Sequence, residues 1–198
     1  DVVLCPSLTF AASANVILYE NATPIFIDVD EDYWTIDISH LNKAIKKYNP
    51  KALIAVDLYG QSCDYDAITD LCEKYNVLLI EDAAEALLSK LNGQFLGTIG
   101  NAGILSFSPN KTITTGQGGA ILTNNDNLYI RLRELKDQGR SIRGTGGNDV
   151  HDTIGYNFKL TNLQASIGIA QLDYLGDRTS KMKHNYLQYQ DRLKNLTE

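Results

Sequence analysis

Ser106-Phe107-Ser108-Pro109-Asn110-Lys111-Thr112-Ile113-Thr114-Thr115-Gly116-Gln117-Gly118-Gly119 is the stretch from which the rest of the chain can be read. It leaves one apolar strand candidate, Ala102 to Phe107, and enters another, Ala120 to Thr123. One lysine therefore stands on a polar turn between two core segments. Upstream, the apolar run Val77-Leu78-Leu79-Ile80 ends on Glu81-Asp82-Ala83-Ala84-Glu85. A strand that ends on carboxylates delivers them to the crevice beyond the strand ends, where open α/β sheets bind ligands. A reactive amine with an acid on a nearby strand end is the pairing that a pyridoxal phosphate site needs. A plainer reading stays open on these residues alone, with Lys111 on a solvated loop and Asp82 as a helix cap.

Strand and helix patterns alternate outward from this stretch. Val2 to Cys5 reads as a strand and Thr9 to Tyr19 as a helix, followed by a strand at Pro24 to Asp28. Ser39 is the expected cap of a helix running to about Tyr48, and Asp64 that of a helix through Tyr75. Ala52 to Val56 is a strand, and the all-apolar Val77 to Ile80 has the look of one buried on both faces. Asn92-Gly93 predicts a hairpin turn. Helices are expected over Asn125 to Gln138, Leu163 to Leu175 and Asp177 to Leu196, and Arg140 to Asp149, with three glycines, as a mobile loop. Strands alternating with helices predict parallel βαβ units with helices on both faces.

Composition narrows the class. The chain has 198 residues, 43% hydrophobic and 21% charged, the profile of a soluble globular protein. No apolar run is long enough to span a membrane and none is laid out as a signal peptide. The net charge of −6 argues against broad nucleic-acid binding, so an anionic substrate would need a local basic patch. Cys5, Cys63 and Cys72 lack C-x-x-C spacing, and His40, His151 and His184 stand apart, so reduced thiols in a cytoplasm and no metal site are expected. The three glycines after Lys111 are in the wrong order for a P-loop, where the lysine follows.

Four motifs occur in one order: Pro6-Ser7-Leu8-Thr9-Phe10-Ala11-Ala12-Ser13-Ala14-Asn15, Ile80-Glu81-Asp82-Ala83-Ala84-Glu85-Ala86, Asn110-Lys111-Thr112-Ile113-Thr114-Thr115-Gly116 and Gly155-Tyr156-Asn157-Phe158. Together they resemble the DegT/DnrJ/EryC1/StrS sugar aminotransferases over essentially the whole chain. The resemblance implies an aspartate-aminotransferase-like, fold type I large domain: a three-layer α/β/α sandwich on a mixed, mostly parallel sheet. It also implies pyridoxal 5′-phosphate as cofactor. Lys111 is then the lysine that bonds the cofactor and shuttles the proton, reacting as the neutral amine. Lysine there favours transamination over the dehydratases of the same family, which carry His. Asp82 matches the carboxylate that keeps the pyridine nitrogen protonated. Glu85 matches the position that reaches the ring's phenolic oxygen, a capping box being its alternative. Phe10 matches the aromatic stacked on the ring, against an ordinary core aromatic. Ser106 matches a serine on the phosphate. Asn157 matches a residue that reaches the partner subunit's phosphate, which implies a homodimer with shared active sites.

By the same resemblance, the expected reaction moves an amino group from glutamate to a keto group of a nucleotide-linked deoxysugar, a 4-keto-6-deoxyhexose first. The setting is surface polysaccharide, lipopolysaccharide or glycan synthesis. A 3-keto sugar or an inosose is the alternative acceptor, and a non-catalytic α/β scaffold the alternative class. Arg140, Arg143 and Lys159 are candidates for a nucleotide diphosphate. Family members are longer at both ends, so residues 1–198 are expected to be a cofactor-binding large domain, its last helix (about 177–196) leading to a small domain outside this chain. The wording departs from the family at Pro109, Leu87-Leu88-Ser89, Asp57 and Lys159, where glycine, a Gly-Ala pair, His and Arg are usual. These departures put the substrate in doubt more than the chemistry.

Overall fold

Side-chain parity in the first strands sets the layering. In β1 (Val2–Pro6), Val2 and Leu4 join one apolar cluster while Val3 and Cys5 join another, on the opposite side of the strand. The computed structural model describes residues 1–141, 149–194 and 196. Along it follow α1 (Ala11–Tyr19), β2 (Thr23–Ile27), α2 (Ile38–Tyr48), β3 (Ala52–Val56), a 3₁₀ turn at Leu58–Gly60, α3 (Tyr65–Tyr75) and β4 (Leu78–Asp82). Then come the short β5 (Lys90–Leu91) and β6 (Gln94–Phe95), β7 (Ala102–Ser106), β8 (Gly119–Leu122), α4 (Asp126–Lys136), α5 (Asn162–Leu172) and α6 (Leu175–Leu193). The chain divides into two units, Asp1–Ser106 with Gly119–Lys159, and Phe107–Gly118 with Leu160–Glu198.

The first unit is built on a six-stranded sheet in the order β2-β1-β3-β4-β7-β8, parallel except for β8, which runs antiparallel to β7. The chain moves from β1 to β2 in one direction, then passes back across β1 to β3. Right-handed crossovers in opposite directions put their helices on opposite faces. Accordingly Leu41, Ala44 and Ile45 of α2 and Ile68 and Cys72 of α3 pack on Leu4, Leu53, Ala55 and Leu79. Ile17 and Ala14 of α1 pack on Cys5, Ile54, Val56 and Ile80 on the other side. This is the expected α/β/α layering on a mixed, mostly parallel sheet. The strand order reverses between β1 and β3, so the crevice for a ligand opens at the carboxyl ends there.

Most caps follow the sequence. Asp64 accepts from Ala67 N at 3.1 Å, Asn125 from Leu128 N at 3.0 Å, and Asn92 (φ 49) with Gly93 (φ 87) turns the β5–β6 hairpin. Two expectations are corrected. Asp37, not Ser39, caps α2: its carboxylate accepts from His40 N at 2.7 Å and from the Ser39 hydroxyl at 2.7 Å. A carboxylate near a helix N-terminus gains from both the orphan N–H groups and the dipole, and these bonds hold the Asp37 carboxyl below its ordinary range. Leu78, expected to be buried, is 48% exposed, although Val77 and Leu79 on either side of it in the chain are buried. The last helices run Asn162–Leu172 and Leu175–Leu193, each starting and stopping earlier than expected. Most of the loop at Arg140 to Asp149 lies outside the described residues.

Candidate functional site

β4 ends on two carboxylates that parity sends to opposite faces. Glu81 lies on the α2–α3 side, 0% exposed, and accepts from the backbone N–H of Ile99 (2.8 Å), Gly100 (3.3 Å) and Gly97. It pins the turn that leads into β7. A side chain at Gly103 would run into the Gly97 carbonyl, so glycine is required where that turn crosses β7.

Asp82 lies on the α1 side, beside the switch point. Ser13 of α1, 3% exposed, donates to Asp82 Oδ2 at 2.8 Å, and Ala84 N donates to Oδ1 at 3.2 Å. The Thr9 and Ser13 hydroxyls are 2.9 Å apart. Because Ser13 spends its one proton on Asp82, Thr9 is the donor of that pair. Asp57 N donates to the Asp82 carbonyl at 3.1 Å, tying the ends of β3 and β4 together.

The sheet brings Ser106 to this edge, and the other expected residues lie off the strands. β7 pairs with β4 in the register Asp82↔Ile104, and Leu105 packs into the α2–α3 cluster. Ile104 and Ser106 therefore share the face of Asp82, and Ser106 ends the adjacent strand. Phe10 occupies the N-cap position of α1 and is 79% exposed, so it is not a core aromatic. Glu85 Oε2 accepts from Tyr59 N at 2.8 Å, holding the Leu58–Gly60 turn in which Tyr59 takes a positive φ of 55. Asn157 sits at the C-terminal end of α4, bridged to Asp137 between Tyr156 N→Leu135 O (2.6 Å) and Phe158 N→Lys136 O (3.0 Å). The rings of its chain neighbours Tyr156 and Phe158 stack on each other, with centroids 5.0 Å apart.

Lys111 belongs to the second unit, five residues beyond Ser106 in sequence. Its N–H donates to the Ser108 carbonyl at 3.1 Å, closing a turn inside the loop. The loop is closed at its base by Phe107 N→Gly118 O (2.8 Å) and Thr115 N→Phe107 O (3.0 Å). Gly118 (φ +146) is in a conformation that favours glycine. Two side chains that no sequence motif marks then hold it. Gln171 of α5 accepts from Thr114 N at 3.2 Å and donates to the Thr114 carbonyl, and Arg178 of α6 donates to the Thr112 carbonyl at 2.9 Å. Arg178 also donates to Gln171 at 2.9 Å. Peptide groups on the lysine's C-terminal side are thus fixed by a buttressed pair.

The basic residues proposed for a diphosphate are already paired. Arg140 contacts Asp149 at 2.8 Å and Asp137 at 3.2 Å, and Lys159 contacts Asp137 at 2.8 Å. Lys159 first, then Arg140, holds the Asp137 carboxyl below its ordinary range, and Arg140 with His151 holds Asp149 at about 2. A diphosphate would have to displace these carboxylates. Arg143 lies outside the described residues.

A second buried carboxylate stands where the sequence shows only a departure from the family wording. Asp57, 0% exposed, accepts from Cys63 N at 3.1 Å and faces Tyr65, but among the described residues neither its Oδ2 nor the Tyr65 hydroxyl makes a well-formed hydrogen bond. Burial, helped by the Glu81 charge, pushes its carboxyl up to about 7. Cys5, Cys63 and Cys72 are free, buried thiols, and burial pushes Cys5 and Cys72 up to about 11. No helix among the described residues is long and apolar enough to cross a membrane, and no group of three or more His, Cys, Asp or Glu among them could hold a metal ion.

The whole chain, residues 1–198, matches the DegT/DnrJ/EryC1/StrS aminotransferase family. It is 40% identical over 198 residues to a GDP-perosamine synthase of Escherichia coli O157:H7, covering 100% of this chain and 53% of that protein. It is 42% identical over 201 residues to a putative pyridoxal phosphate-dependent aminotransferase, EpsN, of Bacillus subtilis (strain 168), covering 99% and 51%. Among solved structures, the aminotransferase from Psychrobacter cryohalolentis superposes with a TM-score of 0.93 at 32% identity, over 99% of this chain and 51% of that one. The chain spans about half the length of these relatives. It belongs to the DegT/DnrJ/EryC1/StrS family, whose members are pyridoxal phosphate-dependent aminotransferases.

Proposed function

We propose that this family member is the cofactor-binding portion of a pyridoxal phosphate-dependent aminotransferase that acts on a nucleotide-linked keto-sugar. The observation that carries the reading is Asp82, held by Ser13 at the carboxyl end of β4 on the same face as Ser106. The donor set suits the cofactor: a carboxylate for the ring nitrogen, a hydroxyl one strand away for the phosphate, and an exposed aromatic at the start of α1 for the ring face. When bound, pyridoxal phosphate supplies an aldehyde for amine exchange and a ring that accepts the electron pair released at the reacting carbon.

Asp82 keeps a proton on the ring nitrogen, which makes the ring the better electron acceptor. Lys111 would hold the cofactor covalently as a neutral amine, and its Nζ would serve as the base that moves a proton. Ser106 donates to the phosphate, Phe10 covers one ring face and Glu85 stands at the phenolic oxygen. Asn157 serves the phosphate of a partner subunit, so the active form is a homodimer. Glutamate is the amino donor and a 4-keto-6-deoxyhexose the acceptor, for surface polysaccharide such as lipopolysaccharide. The similarity to GDP-perosamine synthase supports a nucleotide sugar, and the buried thiols suit a reducing cytoplasm.

The full-length protein should be yellow, and borohydride reduction followed by peptide mapping should place the cofactor on the Lys111 peptide. Lys111→Ala should lose both the fixed label and turnover. A label on another lysine would end the assignment. A panel of nucleotide keto-sugars assayed with glutamate then identifies the acceptor, and turnover of none of them would remove the sugar reading.

A further inference from the structure

We infer that Ser13, with Thr9 behind it, is a positioning residue that fixes the Asp82 carboxylate for the ring nitrogen, an inference that rests on the pyridoxal phosphate reading above. Ser13 is a polar side chain in an apolar place. Its neighbours on the inner side of α1, Ala14 and Ile17, pack against Cys5, Val56 and Ile80, and it is itself 3% exposed. A hydroxyl buried there costs free energy unless it is paired, and alanine would suit the helix better. The partner it finds is Asp82, 69 residues away, at 2.8 Å.

The relay has one direction. Thr9 donates to Ser13 and Ser13 donates to Asp82, so one of Ser13's two lone pairs is taken and its single proton is committed to Asp82. Asp82 accepts one bond on each oxygen, from Ser13 and from Ala84. A carboxylate has about four acceptor sites. Two remain, in a plane that the two donors have fixed. A proton on a ring nitrogen would therefore meet a carboxylate that need not reorient. Ser13 touches no cofactor atom in this scheme and acts only through Asp82.

The plainer role, joining α1 to β4, predicts something different. The full-length protein is compared with Ser13→Ala, Ser13→Thr and Thr9→Val. Equilibrium binding is measured for pyridoxal phosphate and for its 1-deaza analogue, in which carbon replaces the ring nitrogen. Ser13→Ala should weaken pyridoxal phosphate about tenfold, the scale of one hydrogen bond to a charged group. It should leave the analogue within about twofold, since the analogue has no ring N–H to place. Ser13→Thr, which keeps the hydroxyl, should restore most of the loss. Thr9→Val, which leaves α1 and Ser13 in place, should cost about threefold for pyridoxal phosphate alone. Equal losses for both ligands, or no loss for either, overturns the inference while the function stands. A wild-type protein that takes up no pyridoxal phosphate overturns the function and this inference together.

Discussion

Glu81→Gln tests how the end of β4 is held. The carboxylate accepts three backbone N–H groups, Ile99 and Gly100 on one oxygen and Gly97 on the other, in a site with 0% exposure. Glutamine has one acceptor oxygen. Kept on the side of Ile99 and Gly100, it turns its NH₂ against the Gly97 N–H. That loses one charge-assisted bond, about 1.5–3 kcal/mol, and leaves a buried donor unsatisfied, about 1–3 kcal/mol. The two costs overlap, so a loss of about 3.5 kcal/mol is expected. With a urea slope of about 2.5 kcal/mol per molar, the midpoint should fall by about 1.4 M at unchanged slope. A second signature follows from Asp57, which the Glu81 charge helps to push up: in Glu81→Gln its titration should move down. A midpoint drop below about 0.3 M would mean that the carboxylate does not hold the turn.

Asp57 gives a pH dependence with a definite sign. Its carboxyl is raised from 3.8 to about 7 in the folded chain, so over that interval the folded state holds a proton that the unfolded chain has released. Stability should therefore be highest below about 4, fall as pH rises to about 7, and be level above it as far as this group is concerned. Asp57→Asn, neutral throughout, should flatten that segment, and urea midpoints at several pH values would show it; an unchanged profile refutes the assignment. Asp82→Asn should leave thermal unfolding near wild type and cut turnover by about 10²–10³-fold, since an amide cannot hold the ring nitrogen protonated; near-normal kcat with unchanged cofactor spectra would reduce Asp82 to a cap. Mixing inactive Lys111→Ala and Asn157→Ala chains should restore one working site per mixed dimer, and proven subunit exchange without recovery would place Asn157 at its own chain's site.

The layering was legible because both periods were clean. Leu4, Leu53 and Leu79 alternate with Cys5, Ile54 and Ile80, and Leu41, Ala44 and Ile45 recur at helical spacing, so strand and helix could be told apart from side chains alone. Helix ends were less legible. Asp37 and Ser39 are both good caps two residues apart, and only the hydrogen bond to His40 N decides between them. The buttresses were not legible at all. Gln171 lies 57 residues from Thr114 and Arg178 lies 66 from Thr112, and nothing local marks a polar helix residue as the partner of a distant carbonyl. Ser13 left a fainter trace, a hydroxyl on the inner side of an otherwise apolar turn of α1.

Glu81 and Asp82 show why a motif can be found in a sequence before its working residue can. Both are carboxylates at the end of an apolar run, and either could cap, pair or catalyse. What separates them is one step of strand parity. The register of β4 on β3, Ala55↔Glu81 and Val56↔Asp82, puts the first with the α2–α3 cluster and the second with α1. On the α2–α3 side the carboxylate meets three peptide N–H groups of a turn and is consumed by the fold. On the α1 side it meets a serine and one N–H, and keeps acceptor capacity for something the chain does not supply. A one-residue slip of β4 would exchange the two. The three N–H groups that anchor Glu81 resist that slip, because Asp82 in its place is one methylene shorter and would not reach donors spread from Gly97 to Gly100. The structural carboxylate thus keeps its neighbour on the ligand side of the sheet.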